Sequence, residues 1–210
     1  MNQRSQPAPR QRRLAAWAVL GAFLAGLPGS PALAGPRGER VISGQATFDR
    51  GGSETVIDTK TEQTIVEYES FDILAGEIVR INQPSEASRI LNRVPHGDPT
   101  RVNGQLRSNG YVYILNPAGV FLGESAVIDV SGLVAGAGRV SNADFLAGLD
   151  RFTDLSGDVV VAEGASVSAE GLVALVGRRV ANFGAIRTEG GMVALVAGEN
   201  AMLAKIDGRV

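Results

Sequence analysis

The sequence predicts an all-β fold, a right-handed parallel β-helix closed at its start by an N-terminal cap of β-strands. Three observations carry that prediction. Apolar runs of only four to six residues, rich in valine, are bounded by Gly, Asn and Ser, the pattern of short strands rather than of an amphipathic helix. Leu172-Val173-Ala174-Leu175-Val176 recurs twenty residues later as Met192-Val193-Ala194-Leu195-Val196, each copy preceded by a Glu-Gly step at Glu170-Gly171 or Glu189-Gly190. The composition, 27 glycines with 5 % aromatic residues, suits a narrow aliphatic core with tight corners.

Residues 1–34 read as a signal peptide. Arg4, Arg10, Arg12 and Arg13 form a basic start, Leu14 to Leu27 is an apolar run, and Pro28, Gly29 and Pro31 break it. Ala32-Leu33-Ala34 supplies the small residues that precede a cleavage site, so Ala32, Ala34 and Gly35 mark the expected cut and Gly35 the new N-terminus. The run is shorter than the ~20 apolar residues of a bilayer span. After leader removal no integral membrane segment is expected, and Trp17, the single tryptophan, leaves with the leader.

Residues 35–80 have the texture of cap strands. Charged and apolar residues alternate from Val41 to Val79, and turn signals fall at Asp49-Arg50-Gly51-Gly52 and Ala75-Gly76-Glu77. Such alternation implies strands with one wet face. A solenoid needs cover of this kind, because an open end exposes apolar side chains and unpaired backbone groups.

Residues 81–210 read as the coils, and residues 35–210 as one domain. Val173 and Leu175 point to one side of their strand, Ala174 and Val176 to the other, and Val193 and Leu195 stack on the first pair as an interior ladder. A fainter copy at Val130 to Ala135 places Gly132 nearly two periods before Gly171. A leucine-rich repeat has a similar period but requires leucines at fixed offsets and an asparagine ladder, which are missing here. The repeat is expected to run on through Ala201 to Ile206 with no element covering the last coil.

Composition restricts function. The leader takes four basic residues and no acidic ones, leaving 16 basic against 22 acidic, so no nucleic-acid partner is expected. Cysteine is absent, leaving stability to packing and backbone hydrogen bonds. His96, in Pro95-His96-Gly97-Asp98-Pro99, has no second metal ligand in view and reads as a solvated loop residue, so no metal and no cofactor are expected. No nucleophile-elbow or phosphate-loop pattern is found. A polysaccharide-cleaving β-helix would need clustered carboxylates, and the candidates Asp129, Asp144, Asp150, Asp154 and Asp158 are not spaced at the coil period, so the chain is read as no enzyme.

Asn116-Pro117-Ala118-Gly119 reads as a rigid β-turn between two strands: proline pre-sets φ, asparagine can bond the following backbone, and glycine tolerates the exit. Its expected role is structural, any effect on export passing through folding. The minority alternative makes the corner part of a surface that a transporter reads.

Several segments in order carry a family resemblance: Phe71-Asp72-Ile73, Gly76-Glu77, Ile81-Asn82-Gln83-Pro84-Ser85, Leu91-Asn92-Arg93-Val94, Val102-Asn103-Gly104, Ser108-Asn109-Gly110 and Leu115-Asn116-Pro117-Ala118-Gly119-Val120. Together they resemble the N-terminal secretion domain of the filamentous haemagglutinin family, over roughly Val41 to Val210. The chain departs from the family in having Ala118 where members usually carry asparagine, and members usually continue far beyond this length. The resemblance implies a two-partner secretion domain, recognised by the periplasmic modules of an outer-membrane β-barrel transporter, that leads an adhesin-type β-helix to the surface of a Gram-negative-type cell. The alternative is a self-sufficient adhesin or carbohydrate-binding module meeting host or neighbour-cell glycans.

Overall fold

The computed structural model describes residues 35–204; the expected leader, with Ala32 and Ala34, and the segment from Lys205 onward lie outside the described residues. The described chain is a β-solenoid of about 7 turns. Each full coil has three faces, and the register of the parallel pairs fixes which side chains stack.

On the first face, β3 (Glu54–Thr59), β5 (Ile78–Asn82), the first half of β8 (Gln105–Leu115), the first half of β10 (Val127–Gly136), β13 (Ser166–Ala169) and β16 (Ala185–Thr188) lie parallel in that order. The second face stacks β4 (Gln63–Glu67), β6 (Arg89–Arg93), the second halves of β8 and β10, β14 (Val173–Gly177) and β17 (Val193–Ala197). Since β8 and β10 run through a corner, they join both faces into one twelve-stranded sheet. The third face is a separate sheet of β7 (Thr100–Val102), β9 (Gly119–Leu122), β12 (Asp158–Val161) and β15 (Arg179–Asn182).

The predicted ladder is present. Val173 pairs with Val193 and Leu175 with Leu195. One interior column runs Thr64, Ile90, Val112, Leu133, Val173, Val193, and the next Val66, Asn92, Ile114, Ala135, Leu175, Leu195. Val173 and Leu175 are fully buried, whereas in the last described coil Val193 is 41 % and Leu195 52 % exposed.

The start is covered by β1 (Arg40–Ser43), antiparallel on β4, and β2 (Ala46–Gly51), antiparallel on β3. Here the core changes character. Phe48, Tyr68 and Phe71 form an edge-to-face chain with centroids 6.4 and 5.1 Å apart, closing an otherwise aliphatic interior with rings. Parallel stacking begins at Glu54, earlier than the expected boundary at residue 80, which falls inside β5.

Two features depart from the expected simple coil. First, the outward side of the second face is also apolar: the column Ile65, Leu91, Tyr113, Val134, Ala174 is fully or nearly fully buried, in a second core outside the solenoid. Its cover includes α1 (Asn142–Ala147) and β11 (Asp150–Phe152). The helix is one short element held by its ends and its anchor: Ser141 Oγ accepts from Asp144 N at 3.0 Å, Gly148 N–H closes on the Phe145 carbonyl at 3.1 Å, and the Phe145 ring meets Tyr113 edge-on at 5.3 Å. Second, the expected continuation of the coil at Ala201 is corrected. Ala201–Leu203, β18, leaves the solenoid and pairs antiparallel with β11, because Ala201 and Leu203 pack into the outer core and β11 offers the free backbone partner.

Candidate functional site

The motif residues mark the three corners of a single coil, the one that runs through β7, β8 and β9. Asn103-Gly104 turns the third face into the first. Asn103 N and Gly104 N both donate to the Ile73 carbonyl, at 2.7 and 3.0 Å. Any side chain at 104 would put its Cβ 2.4 Å from the carbonyl oxygens of Leu74 and Glu77, so the close approach of two coils admits only glycine.

Ser108-Asn109-Gly110 is the corner inside β8. The register between β8 and β10 shifts there, two residues on one strand matching one on the other. Asn109 repairs the broken ladder with its side chain: Oδ1 accepts from Gln83 N at 2.7 Å and Nδ2 donates to the Gln83 carbonyl at 2.8 Å. Gly110 N donates to Ser108 Oγ at 3.2 Å.

Asn116-Pro117-Ala118-Gly119 is the third corner and forms the predicted turn, with Gly119 N donating to the Asn116 carbonyl at 2.9 Å and Ala118 N to Asn116 Oδ1 at 2.9 Å. The asparagine side chain is buried, and its Nδ2 donates to the Asp98 carbonyl at 2.8 Å and to Thr100 Oγ1 at 3.1 Å. Ser156 Oγ fixes the Pro117 carbonyl from the following coil, at 2.9 Å.

Asn92 and Arg93 belong to the coil before. Asn92 faces the interior, wholly buried among aliphatic side chains, where Nδ2 donates to the Tyr113 carbonyl at 3.1 Å and Oδ1 accepts from the Tyr68 hydroxyl at 3.2 Å. A buried amide satisfied on both sides ties the ring cluster of the cap to the next coil. Burial, with the Glu39 charge adding to it, pushes the Tyr68 hydroxyl far above its ordinary range, so it stays a donor. Arg93 points outward: its guanidinium meets Glu67 at 2.7 Å and donates to the Val140 carbonyl at 3.3 Å, anchoring the segment that leads into α1. Burial raises the Glu67 carboxyl, but the bonds from Arg40 and Arg93 outweigh it and hold the group below the usual carboxylate range.

Gly35 opens the described chain. It is buried, and its N–H donates to Glu77 Oε2 at 3.1 Å.

The proposed carboxylates do not converge. Asp144 bonds Ser141 at 2.8 Å, Asp150 takes the Tyr113 hydroxyl at 3.0 Å, Asp154 faces Arg139 at 3.8 Å, and Asp158 is held by Arg179, whose bond outweighs desolvation and lowers its pKa. Asp129 lies in the outward column of the first face, between Arg107 and Ser168. Among the described residues no three His, Cys, Asp or Glu side chains are grouped to hold a metal ion, and no helix is long and apolar enough to cross a membrane. Sequence reading missed Gln83, Glu67 and Tyr68 as partners of the motif residues; only Gln83 carried a signal, its place inside Ile81 to Ser85.

A coil whose motif asparagines and glycines serve its corners and interior, behind an N-terminal cap, defines a capped parallel β-solenoid. Comparison with known proteins agrees. The family described as TPS secretion domain matches residues 33–209, and the chain belongs to that family: it is a two-partner secretion domain. It is 36 % identical over 175 residues to a heme/hemopexin-binding protein of Haemophilus influenzae, covering 79 % of this chain and 19 % of that protein. A second heme/hemopexin-binding protein of Haemophilus influenzae is 32 % identical over 101 residues, covering 48 % of this chain and 11 % of the relative. The chain thus spans a fifth or less of the length of these curated relatives. Among solved structures, the HMW1 secretion domain from Haemophilus influenzae superposes with a TM-score of 0.75 at 30 % identity, over 80 % of this chain and 46 % of that one. The filamentous hemagglutinin secretion domain, at 21 % identity and a TM-score of 0.58 over 79 % of this chain and 65 % of that one, shares the fold. Domains of this family belong to secreted proteins of Gram-negative bacteria and imply an outer-membrane transporter as partner.

Proposed function

We propose that this domain leads a longer surface-directed β-helix through its transporter, that the leader is cut after Ala34, and that Asn92, Arg93, Asn103, Gly104, Asn109, Gly110 and the Asn116 to Gly119 turn act by directing coil folding rather than as a contact surface for the transporter. The observation that carries this reading is the hydrogen-bonding of the asparagines: Asn92, Asn109 and Asn116 each spend their amide on the chain's own backbone. A side chain so committed is unavailable to a partner in the folded state. Recognition therefore falls on the unfolded chain in the periplasm, where an extended segment adds to a sheet edge by main-chain bonds. The first coils to emerge then fold and template those that follow. The likeness to the heme/hemopexin-binding proteins lies in a small fraction of their length, so it supports a shared export route; the cargo is read as an adhesin-type β-helix that meets host or neighbour-cell surfaces, with glycans among the ligands.

Asn116→Ala separates folding from recognition. The substitution removes the amide bonds to the Asp98 carbonyl, Thr100 Oγ1 and the Ala118 N–H, at about 0.5–1.5 kcal/mol for each hydrogen bond lost. The urea-unfolded variant should bind the purified periplasmic modules as the unfolded parent does, while the exported variant should refold more slowly and be degraded more. A variant that folds normally but no longer binds the modules would overturn the reading and make the corner a recognition element.

A further inference from the structure

The N-terminal end of the described chain holds a feature that neither the fold nor the export route accounts for. Gly35 and Pro36 are buried although they open the domain. Gly35 has φ +79°, and a Cβ there would come within 2.8 Å of Thr55 Oγ1, so the chain enters a slot that only glycine fits. Glu77 reaches that slot: Oε2 accepts from Gly35 N at 3.1 Å and from Leu74 N at 2.8 Å. The carboxylate is placed by a tight turn, since Glu77 N donates in return to the Leu74 carbonyl at 3.0 Å. One residue on, the Arg50 guanidinium holds the Pro36 carbonyl at 2.9 Å, with its charge matched by the two oxygens of Glu39 at 2.9 and 2.7 Å.

We propose that Glu77 is the receptor for a new α-ammonium created by leader removal, so that cleavage completes the cap. The inference rests on the reading that the cut follows Ala34. Water adds across the Ala34–Gly35 peptide bond, Ala34 leaves as a carboxylate, and Gly35 N, until then a neutral amide donor, gains protons and becomes an ammonium. In the folded domain that atom lies at hydrogen-bond distance from Glu77 Oε2, so a chain cut before it folds makes a charge-assisted ion pair where an uncut chain makes a neutral hydrogen bond. Glu77 is the carboxylate in contact with that nitrogen; Arg50 and Glu39 form their own bidentate pair on the adjoining residue, and across the neighbouring strands Glu54 is paired with Arg80 at 3.0 Å. An uncut chain cannot make this pair. The device links maturation to folding: the cap gains its last interaction only once the leader is gone.

The sign of the pH dependence follows. An α-amino group ordinarily titrates near 8, and a carboxylate partner raises it. The stabilisation is then fully present below about pH 8 and is lost as pH rises through the raised value. The test begins with protein recovered after export, whose first residue is read by N-terminal sequencing; a start other than Gly35 rejects the cleavage site and is distinguishable from failure of the ion pair. Four proteins are compared at pH 7 and pH 10: the chain starting at Gly35, the same chain retaining Ala34, and Glu77→Gln in each. The expected result is a higher Tm for the Gly35 start at pH 7, a larger loss on Glu77→Gln in that chain than in the Ala34 chain, and convergence at pH 10. Equal Tm values at pH 7, or a difference that persists unchanged at pH 10, would overturn the proposal. Should Glu77→Gln fail to fold, the titration of the Gly35 amino group in the unsubstituted protein decides alone: a pKa above 8 supports the pair, and one at the ordinary value overturns it.

Discussion

Leu175 and Leu195 occupy the same column one coil apart, in identical Val-Ala-Leu-Val runs, and differ in what lies above them. Leu175 is fully buried between Ala135 and Leu195, while Leu195 is 52 % exposed. Truncation of each to alanine removes the same atoms, so a difference in cost reports stacking alone. Fully burying a leucine is worth about 1.5–3 kcal/mol, and an enclosed site adds a cavity penalty, which places Leu175→Ala near 3 kcal/mol within the roughly 2–5 kcal/mol seen for such changes. Leu195→Ala forgoes about half of the transfer term and opens no closed cavity, since one side already meets solvent; about 1 kcal/mol is expected. With an m-value of about 2 kcal/mol per molar urea, the unfolding midpoints should fall by about 1.5 M and about 0.5 M. Urea titration followed by far-ultraviolet circular dichroism of both variants makes the comparison, with equal m-values as the check that the unfolded states match. Equal losses would refute the stacked-column account, and a larger loss at Leu195 would invert it.

Other consequences are simpler to test. Asn92→Ala leaves the Tyr68 hydroxyl and the Tyr113 carbonyl without their amide partner inside the core, and should cost about 2–4 kcal/mol in the same urea assay; a loss under 0.5 kcal/mol would show that the amide bridge is dispensable. Glu67 has a folded pKa below its ordinary value through its two arginine partners. Its contribution is therefore present above about pH 4.5 and is lost as pH falls through the lowered value. Glu67→Gln should flatten the acid limb of the stability curve, and an unchanged limb would place the acid sensitivity elsewhere.

Much of the fold is written in period-two patterns that survive without tertiary knowledge. The twenty-residue recurrence at Leu172 and Met192 gives the register seen between β14 and β17 residue for residue, because identical coils stack most closely in register. The turn at Asn116 to Gly119 is equally legible, since its geometry depends on its own four residues. What escaped depends on what covers a strand. Ala174 and Val176 alternate with interior residues, and their apolar character marks burial without naming the partner; the outer core is supplied by Val140, Phe145, Phe152 and Leu155, distant in sequence and patterned as loop. A helix as short as α1 has too few turns for a 3.6-residue period to register. The departure of Ala201–Leu203 toward β11 was hidden because its apolar alternation fits either a further coil or an antiparallel partner, and only the free edge of β11 decides between them. Among the motif residues, the sequence marked positions but not directions: that Asn92 points into the core and Arg93 out of it follows from register alone.

As a two-partner secretion domain, this chain is expected to depend for export on a dedicated outer-membrane transporter. The most direct measurement is the amount of this chain in the medium of Gram-negative cells expressing it with and without its partner transporter, each culture fractionated into periplasm and medium. Folded protein is expected in the medium only when the transporter is present, and degraded or retained protein in the periplasm when it is not. Equal release in both cultures, or retention in the periplasm despite a functional partner, would contradict that expectation.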